Sequence, residues 1–359
     1  YGKVEELLKQ SGVKEIRTQT AVSDKRTIDE MIKLNKDLGV KFDVIMDPRW
    51  ISAKDAITLA HKLGPAISSI EGPNEYDISH PKSDKDWVTT LRSYMRDLKE
   101  NNDTGLPILS PSLVKADSAE KFAAPDGKNY NPKDYFDVVN LHPYQYKSAP
   151  DDPNSVDSLV NWKKKMQALD PTGKLPVVTT EIGKGTQDAS TGGVSQKVQA
   201  EYTLRELLYG FNNGIASTDI YQMMDNFKNG NNGRENSLGL VDKNENPKQA
   251  FTALSNLMEI LKDDGRGGAA PSSLNFKLSG AESDIQHSLV QKSDGSFYLA
   301  LWRAVPGDNT GSEKVTLTLP NQRTLSVYDP LQSASAGEQK DSNSIQVAVT
   351  GEPILIKIA

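Results

Sequence analysis

The sequence has no cysteine and only four histidines in 359 residues. Disulfides, thiol catalysis and Cys-ligated zinc are therefore excluded. The histidines (His61, His80, His142 and His287) fall on unrelated elements without ligand spacing, so neither a metal nor another cofactor is expected. No run approaches the roughly 18 uninterrupted apolar residues that a membrane span needs. Tyr1-Gly2-Lys3-Val4 lacks a basic and then apolar leader, so the expectation is that any signal peptide was removed or never existed. Basic charge is not in excess: 42 Lys and Arg stand against 48 Asp and Glu, a net charge of −6. Nucleic-acid affinity rests on clustered Lys and Arg, so no nucleic-acid partner is expected. The run Lys163-Lys164-Lys165 lies in a helix-like segment and reads as a solvated face. Gly183-Lys184-Gly185-Thr186 lacks the Walker spacing, and no Gly-x-Ser-x-Gly elbow occurs. The acidic loops Asp225–Asn236 and Asp242–Asn246 match no EF-hand.

What is present is a chain with 36% hydrophobic and 25% charged residues, which suits a soluble globular protein. With no cysteine, it fits a secreted or cell-surface protein of bacterial type. Its length exceeds the usual limit for one core, so a large domain over residues 1–264 and a small one over 265–359 are expected. Short apolar runs at Glu15–Thr20, Lys41–Asp47, Ala66–Glu71, Pro107–Pro111, Asp137–His142, Pro176–Glu181 and Thr218–Met223 alternate with amphipathic helical patterns. This alternation predicts an α/β fold with a parallel sheet and helical crossovers, closed as a (β/α)8 TIM barrel. The first of eight strands is missing, because the sequence opens on the helix-like Val4-Glu5-Glu6-Leu7-Leu8. An upstream segment of the same polypeptide is expected to supply it; the alternative is that a late segment fills the gap. After Asp263-Asp264-Gly265-Arg266-Gly267-Gly268 the pattern changes to strand alternation, which predicts a small antiparallel β-sandwich.

In such barrels the functional groups project from the C-terminal strand ends. Read in order, those ends carry Arg17, Asp47-Pro48-Arg49-Trp50, Asn74-Glu75, Ser110, His142-Pro143-Tyr144, Glu181 and Gln222. Two carboxylates stand out. Ile70-Glu71-Gly72-Pro73-Asn74-Glu75 leaves an apolar strand through a Gly-Pro turn, and Glu181 closes the hydrophobic run Val177–Thr180. Counting the missing strand, these are strands four and seven. A Glu in a turn is ordinarily solvated; the joint placement of the two carries the catalytic reading. Trp87, Trp162 and Trp302 are expected to pack, and Glu71 either to compete with Glu75 or to face a buried partner.

Asn-Glu closing strand four and Glu closing strand seven resemble the signature of glycoside hydrolase clan A. His142-Pro143-Tyr144 is similar to the clan's frequent His-x-Tyr, and a trailing β-sandwich is common there. The resemblance implies a retaining, endo-acting glycosidase cleaving β-glycosidic bonds of a polysaccharide or oligosaccharide. It implies Glu75 as general acid/base, Glu181 as nucleophile and Asn74 on the sugar 2-hydroxyl. Tyr144 would donate to Glu181, Arg17 would help keep that carboxylate ionised, and His142 would line the same pocket. One departure is visible: many clan members carry Trp where Gln222 stands here, and Trp50 is the candidate replacement stacking surface. Two rivals stay open. One is a non-catalytic carbohydrate-binding or cell-surface protein on a degenerate barrel, and the other a barrel enzyme of unrelated chemistry using Glu181 as base.

Overall fold

Strand and helix alternate because each apolar run is bounded by residues that stop one element and start the next. A computed structural model describes residues 2–359 except 116, 125–128, 146–147, 153, 188–189, 191, 227–235 and 308. The parallel strands are β1 (Glu15–Thr18), β2 (Lys41–Ile45), β3 (Ile67–Glu71), β4 (Ile108–Leu109), β5 (Val139–Leu141), β6 (Val177–Ile182) and β7 (Ile215–Ile220). Helices α1 (Gly2–Ser11), α2 (Lys25–Leu38), α3 (Ala53–Leu63), α4 (Tyr76–Ser79), α5 (Trp87–Asn101), α6 (Ser118–Ala123), α7 (Leu159–Lys165), α8 (Gln196–Asn212) and α9 (Gln249–Leu261) lie between or after them. Side-chain caps fix several helix starts. Asp24 accepts from the Thr27 amide, Ser52 from Asp55, Ser158 from Asn161 and Ser195 from Val198. Each satisfies an amide that the first helical turn leaves without a partner.

β1 to β4 pair in chain order, as do β5 to β7, and a parallel bridge between Leu109 and Val138 joins the two sets. The interior strands β2 and β3 are almost wholly buried, as parallel strands covered by helices must be. Side chains of β1, β3, β5 and β6 meet one another: Arg17 reaches both Glu71 and Glu181, and Asn140 reaches Glu71. A sheet in chain order whose first and sixth strands touch through side chains is rolled, not flat. The roll is not stitched shut by backbone pairing. Among the described residues β1 pairs with β2 alone and β7 with β6 alone. β7 begins three residues earlier than the sequence pattern suggests, because Gly214, at φ 71°, turns the chain directly out of α8.

The C-terminal part contains β8 (Lys277–Ser279), β9 (Ile285–Gln291), β10 (Phe297–Arg303), β11 (Glu313–Tyr328), β12 (Glu338–Val349) and β13 (Ile354–Ile358). These form one antiparallel sheet in the order β12-β11-β13-β10-β9, with β8 also on β11. The expected sandwich of two sheets is thus a single sheet curled around Leu299, Leu301, Val315, Leu317, Leu325, Ile345 and Ile356. Its other face shares a core with α8 and α9 through Tyr298, Ala300, Trp302 and Leu355. Trp302 therefore packs between the sheet and the helices, not inside the curl. There its indole nitrogen and the Arg205 guanidinium both donate to the buried Asp151 carboxylate. Trp162 is buried too, against the main core. Of the acidic loop Asp225–Asn236, residues 227–235 lie outside the described residues. Asp225 pairs with Lys248, and Asp242 accepts from the Asn244 and Asn246 amides.

Candidate active site

The strand ends gather six of the eight residues singled out above into one hydrogen-bonded group. Two glycines make the approach possible. A Cβ on Gly72 would lie 2.8 Å from both Met95 Sδ and Pro111 N, so only glycine lets the chain turn tightly out of β3 toward Glu75. A Cβ on Gly183 would lie 2.4 Å from the Tyr221 carbonyl, so the exits of β6 and β7 close up only around glycine.

The centre of the group is an ion pair that sequence reading left as a loose end. Arg17 Nε and Nη2 donate to the two oxygens of Glu71, each at 2.6 Å, in a two-pronged arrangement. Nη2 also donates to Asn74 Oδ1 at 2.6 Å, and Nη1 donates to Glu181 Oε1. The Glu71 side chain is fully buried. Burial alone would raise its pKa; the Arg17 charge and hydrogen bonds outweigh that and hold Glu71 below the usual carboxylate range. Burial pulls the Arg17 pKa down, but Glu71 and Glu181 more than compensate and keep the guanidinium charged. Glu71 is therefore the buried partner and does not compete with Glu75.

Glu181 closes β6 and is 9% exposed. Its Oε1 accepts from Arg17 and its Oε2 from the Tyr144 hydroxyl at 2.9 Å. Glu75 sits differently. It follows β3 on a loop, in the left-handed conformation (φ 46°, ψ 41°), which a non-glycine residue adopts only at a cost of roughly 1–3 kcal/mol. The Ser112 hydroxyl, which accepts from the Glu75 amide at 3.0 Å, helps hold it there. Its Oε1 lies 3.0 Å from His142 Nδ1. Glu75, His142 and Glu181 each place one oxygen or nitrogen within 4.8 Å of the others. A metal ion would fit that spacing, yet both Glu181 oxygens already accept from protein donors.

The proton positions around His142 follow from one backbone amide. Thr180 N donates to Asn140 Oδ1, so Asn140 presents its oxygen to Thr180 and its NH2 to Glu71. The Thr180 hydroxyl can then donate to that same oxygen, at 2.8 Å, and must accept from His142 Nε2, at 3.1 Å. A neutral imidazole with its proton on Nε2 turns a bare Nδ1 toward Glu75. A protonated Glu75 would donate to that nitrogen, whereas an imidazolium would donate from Nδ1 to a Glu75 carboxylate.

The remaining two residues line a cavity of about 830 Å³ that opens at this group: Trp50 and Gln222 share its wall with Arg17, Asn74 and Glu181. Trp50 is 43% exposed, and the Arg49 guanidinium lies 5.1 Å from its ring centroid. Sequence reading missed Asn140, Thr180 and Ser112. Their signal was faint: polar residues at alternate positions of otherwise apolar runs, which on buried strands need partners.

No protein-family model matches the sequence, and no curated protein matches it. Solved structures do. A family 39 glycoside hydrolase from Bacteroides cellulosilyticus WH2 superposes with a TM-score of 0.71 at 16% identity, over 99% of this chain and 77% of that one. A monomeric β-xylosidase from Caulobacter crescentus CB15 gives 0.64 at 14%, over 99% and 92%. The family 51 arabinofuranosidase from Xanthomonas axonopodis pv. citri gives 0.61 at 12%, over 99% and 89%. The chain shares the fold of these glycoside hydrolases. This agrees with the resemblance to clan A, although the trailing part is a single curled sheet and not the expected sandwich. At such identities the likeness speaks for architecture, and the chemistry has to be argued from the site.

Proposed function

We propose that the protein is a retaining glycoside hydrolase that cleaves β-glycosidic bonds in a polysaccharide or oligosaccharide. The observation that carries this reading is the pair of carboxylates, Glu75 and Glu181, with oxygens within 4.8 Å and unlike surroundings. Retaining enzymes hold their carboxyl groups about 5–5.5 Å apart, and inverting ones about 6.5–9.5 Å, to admit a water between. The close approach of the two carboxylates here supports the shorter, retaining separation.

Glu181, ionised between Arg17 and Tyr144, attacks the anomeric carbon. Glu75 gives its proton to the glycosidic oxygen as the bond to the leaving group breaks. Glu75, now a carboxylate, takes a proton from water; that water attacks the anomeric carbon and releases Glu181. Asn74, fixed by Arg17, offers its side-chain NH2 to the sugar 2-hydroxyl. Trp50 at the rim supplies an apolar ring for a sugar face, and Gln222 a polar contact. The open rim suits an endo-acting enzyme, and a cysteine-free chain suits action outside the cell. A purely carbohydrate-binding protein would gain nothing from two buried-edge carboxylates pressed together.

The test is a screen of β-linked polysaccharides and aryl β-glycosides, followed by proton NMR of the first product formed. Initial release of the β-anomer supports the mechanism. Initial release of the α-anomer from a β-linked substrate means inversion and removes Glu181 as nucleophile.

A further inference from the structure

The left-handed backbone of Glu75 (φ 46°, ψ 41°) is one that a non-glycine residue keeps only under restraint. Its relaxation would redirect the carboxyl, because rotation about the N–Cα bond turns the side chain against the preceding peptide. That peptide is held at both ends. Its N–H, on Glu75, donates to Ser112 Oγ at 3.0 Å, and its C=O, on Asn74, accepts from Arg49 Nη2 at 3.1 Å. Ser79 Oγ also lies 3.1 Å from the Asn74 carbonyl, but its one proton is better placed for the Glu75 carbonyl, at 2.7 Å. Arg49 is thus the donor on which the Asn74 carbonyl depends.

The Arg49 guanidinium spans the whole turn that carries Glu75. While Nη2 takes the Asn74 carbonyl ahead of α4, Nη1 donates to the Ser79 carbonyl at its end, at 3.2 Å. The guanidinium is itself set by Asp47, whose side chain is fully buried beyond the end of β2. Asp47 Oδ1 accepts from Arg49 N at 2.9 Å and Nε at 2.8 Å, and Oδ2 accepts from Nη2. A planar fork with one edge on a carboxylate presents its remaining N–H groups in fixed directions, which a lysine cannot do. The Trp50 and Tyr76 rings, with centroids 5.1 and 5.6 Å from its central carbon, flank it.

We infer that Arg49, set by Asp47, is a positioning residue for Glu75: by fixing the Asn74–Glu75 peptide it fixes the direction in which the Glu75 carboxyl points. The consequence for catalysis rests on the glycosidase reading above; the conformational hold does not. Arg49 also lines the cavity, so a direct contact with sugar is the rival role. The two roles part in kcat/KM, which reports the step that breaks the glycosidic bond. A lost sugar contact lowers it on every substrate alike, whereas a misplaced acid lowers it only where the leaving group needs a proton.

The test uses two variants of the full chain. Arg49→Ala removes the fork but leaves Asp47 buried and unpaired, which endangers the fold; Arg49→Lys keeps a cation beside that carboxylate. Crystal structures read the Glu75 φ. Rates are taken on a β-linked disaccharide and on the dinitrophenyl β-glycoside of the same sugar, drawn from the screen above; the second has a leaving group that needs no proton. Arg49→Ala is expected to move Glu75 out of the left-handed region. Its kcat/KM should fall at least ~30-fold on the disaccharide and stay within about 3-fold on the aryl glycoside. Arg49→Lys should show the same pattern with a smaller loss. Guanidinium chloride at millimolar concentration should restore part of the Arg49→Ala rate on the disaccharide. A Glu75 that keeps its left-handed φ in both variants overturns the proposal, and so does an equal loss on the two substrates. A parent chain inactive throughout the screen removes the glycosidase reading, and the Glu75 φ in the variants then still decides whether Arg49 holds the turn.

Discussion

Glu75 and Glu181 are the same residue in two different holdings. Glu181 stands at the end of a buried strand, and each of its oxygens accepts from a fixed donor, a guanidinium and a phenol. Glu75 stands on a loop in a left-handed backbone conformation, more exposed, with the His142 imidazole 3.0 Å from its Oε1. The first surroundings hold both oxygens; the second leave the side chain nearer the cavity mouth. Under the proposed mechanism, one fold sets two chemically identical groups to opposite tasks through their neighbours. The difference is built by elements far apart in sequence: Arg17 on β1 and Tyr144 after β5 serve Glu181, while Thr180 and Asn140 serve His142 and through it Glu75.

Removing each carboxylate in turn breaks that comparison most sharply. Glu181→Gly is expected to lower kcat on the order of 10⁴-fold or more, the scale seen when a catalytic nucleophile is lost. Azide should restore turnover and give the glycosyl azide of inverted configuration, since the azide replaces the nucleophile. Glu75→Ala is expected to cost about 10²–10⁴-fold on substrates with poor leaving groups and far less on activated aryl glycosides. Azide should then give the product of retained configuration, because it enters where water does. The same azide stereochemistry from both variants would sink the assignment of roles.

A smaller effect sharpens the picture around Glu181. Tyr144→Phe removes one of its two donors and leaves Arg17. A hydrogen bond to a charged group is worth about 1.5–3 kcal/mol, so a loss of roughly 10–100-fold in kcat/KM is expected, with the fold intact by circular dichroism. No change in kcat/KM would mean that Arg17 alone orders the carboxylate.

The two carboxylates were legible in the sequence because each sits in a short local pattern, Asn74-Glu75 after a Gly-Pro turn and Glu181 after four apolar or β-branched residues. Their supporting shell was not. Glu71 and Arg17 are 54 positions apart, and nothing in either local pattern names the other. The usable hint was physical: a charge ending an apolar strand must be paired, and Arg17 ends its own strand in the same way. The parallel order of β1 to β7 was readable from the alternation of elements. The curl of the C-terminal sheet was not, because Pro320-Asn321-Gln322 looks like a turn between two strands. Those residues instead form an irregularity within the single strand β11, where the pairing register with β12 shifts between Thr318 and Arg323. Turn-forming residues mark a break in pairing; whether the chain reverses there depends on partners that local sequence does not specify.

A third carboxylate, Asp219, extends the contrast from catalysis to stability. Its pKa rises from an ordinary 3.8 to about 7, through burial first and then Glu15 and Glu71, with Arg17 opposing. Between those two values the unfolded chain has released its proton while the folded chain still holds it. Ionisation therefore favours the unfolded state, and stability from this site is present below the unfolded pKa and falls as pH rises toward 7. Asp219→Asn mimics the neutral form at every pH. Its gain should be near zero at pH 4 and reach about 1–2 kcal/mol at pH 8, a figure reduced for the solvent that reaches the side chain from the cavity. Urea midpoints of both proteins at the two pH values give the comparison. Equal gains at pH 4 and pH 8 would show that the carboxylate ionises freely, as an open surface group does.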